Sequence, residues 1–196
     1  MTAISQKTAP VPAPRRRGSS RRGFTLTEAL LATVIVGVGV LSSLNLFWSC
    51  TEASSKAGQT TTGRTLAENI REAMASVTFY DPVSAGTMWG PEPGEILSSY
   101  DDVDDFDGAD FKGTSFNPPI DAMKQPIPAL MQYTQLVTVM PVNPDDPGSN
   151  EDESAPTLPK GAYTGAVRVR VRVYFQQSPA SPKCEVFQAS WLRVNN

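Results

Sequence analysis

Apolar and polar positions divide the chain into stretches of different period. Residues 24–48, FTLTEALLATVIVGVGVLSSLNLFW, are apolar on every face of a helix, and Glu28 is their only ionisable side chain. A helix of about 25 residues rises ~37 Å, enough to cross a ~30 Å hydrocarbon layer with some tilt. Residues 49–80 keep a helical period but are amphipathic. Leu66, Ile70, Met74 and Val77 make one apolar stripe, while Arg64, Glu68, Asn69, Arg71 and Glu72 fall on the other faces. That half is expected to pack one side against a sheet. Gly58, Gly63 and the run Thr60-Thr61-Thr62 predict a bend or frayed stretch in its middle, and Asp81-Pro82 predicts its end.

Residues 81–196 read as a loop-rich β head. From 81 to 128 no period is sustained, which predicts a long ordered loop with at most a short strand or helical turn. Three strands follow, at 132–142, 162–175 and 185–194. The second alternates strictly from Val167 to Val173, with Arg168, Arg170 and Arg172 between the valines, so one face should be buried and the other wet. Short connections favour an antiparallel meander lying on the amphipathic helix half, an α+β arrangement.

Composition narrows the chemistry. The 17 prolines and 14 glycines agree with a head rich in turns. The net charge of -3 hides an asymmetry, because Lys7, Arg15, Arg16, Arg17, Arg21 and Arg22 precede any acid. Without those six, eleven basic residues face twenty acids, so the chain from Phe24 onward carries -9. An anionic body of this kind disfavours nucleic acid as a partner, and the three alternating arginines are expected to be a solvated or ion-pairing face. There is no histidine, which excludes Ser/His/Asp and Cys/His catalytic sets and histidine-bearing zinc sites. Cys50 and Cys184 could close one disulfide in an exported protein, but sequence does not place them together.

The flanks of the apolar run orient it. Arginines directly before it stay cytoplasmic by the positive-inside rule, which exports everything after Trp48. A cleavable secretory signal has a shorter apolar core and a small-residue cut site, and Phe47-Trp48 is too bulky to precede a lipoprotein cysteine at Cys50. A twin-arginine signal fits Ser20-Arg21-Arg22-Gly23-Phe24 better, yet it explains neither the missing downstream cut site nor Glu28. A carboxylate inside hydrocarbon costs ~3 kcal/mol on insertion scales. Something must compensate it.

The run Arg21-Arg22-Gly23-Phe24-Thr25-Leu26-Thr27-Glu28, ahead of about twenty apolar residues, resembles the processing motif of type IV prepilins and type II secretion pseudopilins. The resemblance implies a basic leader, 1–23, removed by a prepilin peptidase after Gly23, and N-methylation of the new first residue, Phe24. It implies a transmembrane and assembly helix at 24–48, an amphipathic half at 49–80 and a head at 81–196 outside the inner membrane. Glu28 would pair with the N-terminal amine of a neighbouring subunit, and the partners would be the peptidase, other pilin or pseudopilin subunits and the membrane. Thr27 departs from the aliphatic residue frequent at its position, and the leader is longer than many. The resemblance covers residues 15–48 and says little about the head.

One feature of the head invites a metal. Asp101, Asp102, Asp104, Asp105, Asp107 and Asp110 place six carboxylates within ten residues, and hard oxygen ligands repel one another until a divalent cation such as Ca2+ neutralises them. No EF-hand frame fits: with Gly108 at the turn position, Val103 and Thr114 fall at the first and last ligand positions. The bland alternative is a solvated acidic loop. The rival reading of the whole chain is a membrane-anchored or twin-arginine-exported domain that binds a ligand through this loop, and an exported metal-dependent hydrolase is a third.

Overall fold

The structure, a computed structural model, describes residues 23–81, 88–108, 112–149, 158–159, 161–162 and 164–195. The chain divides into two compact units, Met1–Trp48 and Ser49–Asn196. A single helix, α1 (Leu26–Ala75), runs through the boundary. In the second unit a sheet of four antiparallel strands follows in chain order: β1 (Thr114–Phe116), β2 (Tyr133–Pro141), β3 (Ala166–Phe175) and β4 (Cys184–Val194). The α+β meander expected from the alternation is present, with the short β1 added at its edge.

The register explains why the valines of β3 matter. Gln135, Val137, Val139 and Pro141 of β2 lie opposite Val173, Val171, Val169 and Val167, which in turn lie opposite Phe187, Ala189, Trp191 and Arg193 of β4. Because side chains alternate across a strand, all of these share one face. The four β3 valines there are buried, and they join Leu66, Ala67, Ile70, Ala73 and Met74 of α1 in one core. The stripe read from the sequence is therefore the sheet-packing face of the helix.

Three expectations are corrected. The middle of α1 is neither interrupted nor frayed. Thr60, Thr61 and Thr65 turn their hydroxyls back onto the carbonyls of Lys56, Ala57 and Thr61, which satisfies them inside the helix. Gly63 is a close-approach residue: a Cβ built on it would lie 2.8 Å from Phe187 Cβ. The helix also stops at Ala75, six residues short of Asp81. Its C-terminal carbonyls find a partner from the sheet, since Arg193 of β4 donates to Met74 O and Val77 O. Finally, the arginine face of the sheet is not simply wet. Thr138 and Met140, opposite Arg170 and Arg168, are buried there, and Arg168 donates to Pro147 O in the segment after β2.

Gln135 is the one polar side chain of β2 on the core face with no exposure at all. Its Nε2 donates to Leu66 O of α1 at 2.8 Å and to Ile120 O at 3.1 Å, and its Oε1 accepts from Ile120 N at 2.7 Å. One amide thus joins helix, sheet and the 117–127 loop, with its donors and acceptor all used. Cys50 and Cys184 are both exposed, free thiols.

Candidate functional site

The first candidate is the N-terminal end of α1. Gly23, Phe24 and Thr25 precede the helix in extended or irregular backbone, and Thr25 caps it: its Oγ1 accepts the Glu28 amide at 3.3 Å, and its carbonyl accepts from Ala29 N at 3.1 Å. Thr25-Leu26-Thr27-Glu28 has the spacing of a capping box, in which a Thr at the cap is followed three residues later by Glu. A carboxylate in the first turn also faces the positive end of the helix dipole. Among the described residues none donates a hydrogen bond to the Glu28 side chain.

The helix beyond this cap is suited to lipid. Every residue from Leu26 to Trp48 is exposed in the isolated chain, including Leu30, Leu31, Ile35, Leu41, Phe47 and Trp48. By length and apolarity the helix is a membrane-span candidate, with an 18-residue window of mean hydropathy 2.1. The hydroxyls within it do not ask for water: Thr33, Ser42 and Ser43 donate to the carbonyls of Ala29, Val38 and Gly39, each four residues back.

The second candidate is the acidic segment of the head. Its carboxylates mostly organise the backbone. Asp102 Oδ1 accepts the amides of Asp104 and Asp105, each at 3.1 Å, and shapes a turn of 3-10 helix at Asp104–Asp107. Asp104 Oδ2 accepts Gly90 N at 2.8 Å. Asp107 accepts Trp89 Nε1 and Val139 N, each at 3.0 Å, and so occupies the edge of β2 where the short β1 has already ended. Asp101 is exposed, and Asp110 lies outside the described residues. Asp105 differs from its neighbours: it falls together with Glu92 and Glu95, one carboxylate oxygen of each lying within 4.8 Å of the other two.

Crowding and burial work against ionisation here. Burial pushes the Asp102 carboxyl up to about 8, helped by the charges of Asp104 and Asp105. Glu92 rises to about 7, through burial and then through hydrogen bonds with the Glu95 and Asp81 carboxyls. Asp105 rises to about 6 by burial, held back by the amides of Asp102 and Asp101.

With this geometry in view, the comparisons with known proteins bear on the first candidate. A family model described as the prokaryotic N-terminal methylation motif matches residues 18–44. The chain carries a prepilin-type signal. The motif includes Gly23, Phe24 and Glu28 and runs into the apolar part of α1, stopping before the head. It supports a type IV pilin-like or pseudopilin subunit in general, and with the apolar helix it suits an inner-membrane anchor. Neither the curated proteins nor the solved structures contain a match to the chain.

Sequence reasoning overlooked two features. The Thr25 cap was legible as T-x-x-E. Glu92 and Glu95 were not, because they sit thirteen and ten residues before Asp105 with no motif spacing, and only the folded loop brings them together.

Proposed function

We propose that this chain is a structural subunit, and not an enzyme, of a type II secretion pseudopilus or a type IV pilus. It is made as a precursor with a basic leader, 1–23, held in the inner membrane by residues 24–48, and cut after Gly23 by a prepilin peptidase. Phe24 then becomes the N-methylated first residue. The rest of α1, residues 49–75, and the short segment to 80 seat the head, 81–196, which stands outside the membrane. Subunits join through their apolar helices, and Glu28 pairs with the amine of a neighbour's Phe24, so that two groups costly to bury singly offset one another and set the axial stagger. Such an assembly is heterologous and non-closing, as a fibre requires.

The observation carrying this reading is the methylation motif at 18–44 heading a helix whose apolar residues from Leu26 to Trp48 are exposed on all sides. The test is co-expression with a prepilin peptidase, followed by intact mass and N-terminal peptide mass. The expected product begins at methylated Phe24. An intact N-terminus would support a plain anchor, and a start well beyond Trp48 would support a secreted domain. Replacing Gly23 with a bulky residue should leave the leader attached. In a processed chain, Glu28→Gln should lower incorporation into filaments, and undiminished incorporation would overturn the pairing role.

A further inference from the structure

The end of α1 and the last residues of β4 leave a cleft of about 490 Å³, walled chiefly by Arg71, Met74 and Phe79 on one side and by Trp191, Leu192 and Arg193 on the other. No residue of β3 lines it, so it opens at the free edge of the sheet, beyond β4. Its only ionisable side chains are the two arginines. Arg71 lies over the Trp191 ring, 5.9 Å from its centroid, and its partner Glu68 stands 3.9 Å away in a pair largely open to water. Such a pair is weak. Arg193 donates to Met74 O and Val77 O, which are uncharged. The carboxylate acting on Arg193 is Asp102, whose own burial pushes it up to about 8 and so keeps it mostly protonated at neutral pH. The cleft therefore carries positive charge that its own chain compensates poorly.

The converse surface is the loop at 92–99. Ile96 is 66% exposed, yet the loop that displays it is held by its own hydrogen bonds. Glu95 N donates to Glu92 O at 3.0 Å, Ser99 N to Ile96 O at 2.8 Å, and Ile96 N to Ser99 Oγ at 3.0 Å. Glu95 Oε2 accepts the Glu92 amide at 3.1 Å, which fixes that carboxylate on the loop. Among the described residues no Lys or Arg forms an ion pair with Glu92 or Glu95. Two other strongly exposed apolar side chains of the head are set differently: Met123 adjoins Lys124 in its turn, and Met131 shares a groove with Lys183.

We propose that the cleft receives the 92–99 loop of a second copy, with Ile96 seated against Trp191 and Phe79 and Glu95 facing Arg71. Charge complementarity selects this occupant, since acids that pair with no cation meet cations that are weakly compensated. An aliphatic knob also meets an aromatic wall. A loop already ordered loses little conformational freedom when it docks. Because knob and cleft are different patches, one head can engage one neighbour through each, as a non-closing assembly requires. The inference rests on the subunit reading for its supply of neighbouring copies, and it adds a contact between heads to the contact between helices.

The experiment puts the photoreactive residue p-benzoylphenylalanine in place of Ile96 in the full chain. The cells also make a prepilin peptidase and a second, differently tagged copy that lacks the photoreactive residue. Irradiation should give an adduct bearing both tags, and peptide mass mapping should place the link at Phe79 or within 191–195. Arg71→Glu in the tagged copy should cut the adduct at least ~10-fold, and Glu95→Arg in the photoreactive copy should do the same. The two together should restore it, which separates a lost contact from a lost fold. An adduct that maps elsewhere, or that Arg71→Glu leaves undiminished, would sink the proposal, as would a double swap no better than either single one. Filament yield in the same cells keeps the two readings apart. Filaments without the adduct remove the head contact alone, the adduct without filaments supports the contact and counts against the fibre, and the absence of both removes both.

Discussion

Gly63 and Gly58 lie five residues apart in α1 and should answer the same substitution with opposite signs. Alanine in place of glycine in a helix interior stabilises by ~0.5–1 kcal/mol, because the unfolded chain loses freedom. At Gly58 a new Cβ would meet nothing within 4 Å, so Gly58→Ala should keep that gain. At Gly63 the new Cβ would stand 2.8 Å from Phe187 Cβ and 3.3 Å from Val186 Cγ2. A Cβ cannot swing aside as a side-chain tip can, so α1 or β4 must move. Overpacking of this kind costs ~1–3 kcal/mol, which leaves Gly63→Ala destabilised by up to ~2.5 kcal/mol after the helix gain of ~0.5–1 kcal/mol is subtracted. The assay is urea unfolding of the full chain in detergent, followed by the near-ultraviolet circular dichroism of the head, with thermal midpoints as a check. Each kcal/mol should move the midpoint by ~2–4 °C in a protein of this size. If Gly63→Ala stabilises as much as Gly58→Ala, the close seating of the helix on β4 is wrong.

Two further substitutions test the buried polar joints of the head. Gln135→Leu should cost ~2–4 kcal/mol, because it strips the Ile120 amide and carbonyl of their partner inside the core; a variant as stable as the parent in urea unfolding would remove this amide from its joining role. Asp107→Ala should cost ~2–4 kcal/mol through two lost hydrogen bonds to a carboxylate, at Trp89 Nε1 and Val139 N. It should also speed hydrogen exchange at the Val139 amide, and unchanged exchange there would show that Asp107 does not guard the β2 edge.

Much of this architecture was legible because it rests on periodicity. The Val167–Val173 alternation, the Leu66–Met74 stripe and the unbroken apolar run each follow from one buried or lipid-facing side, and each appears where its period placed it. What escaped depends on partners distant in sequence. Gly63 looks like a helix breaker until Phe187 is brought against it, and the end of α1 at Ala75 is sealed by Arg193, more than a hundred residues away. The acidic loop shows the same limit. Six aspartates in a row of ten suggested a shared ion, but backbone amides claim Asp102 and Asp104, and Trp89 and Val139 claim Asp107. Composition reports how many carboxylates are present, and only the fold reports which oxygen is left over.

The same distinction governs the N-terminal end. Thr25 caps α1 with its own hydroxyl, so the helix start does not depend on anything before Phe24. On the proposed reading, cutting the bond after Gly23 therefore removes the leader without unwinding the first turn, and it adds a positive amine to the end of a helix that is already positive by its dipole. That amine is poorly placed in its own chain and gains from any nearby negative charge. Each subunit offers one such amine and one Glu28, and no other ionisable side chain from Phe24 through Trp48. On the proposed reading the two offset one another in a low-dielectric layer by pairing one to one between neighbours, which links every added subunit to the last at a fixed rise. Pairing of this kind between neighbours would then favour an open chain of subunits over an isolated anchor.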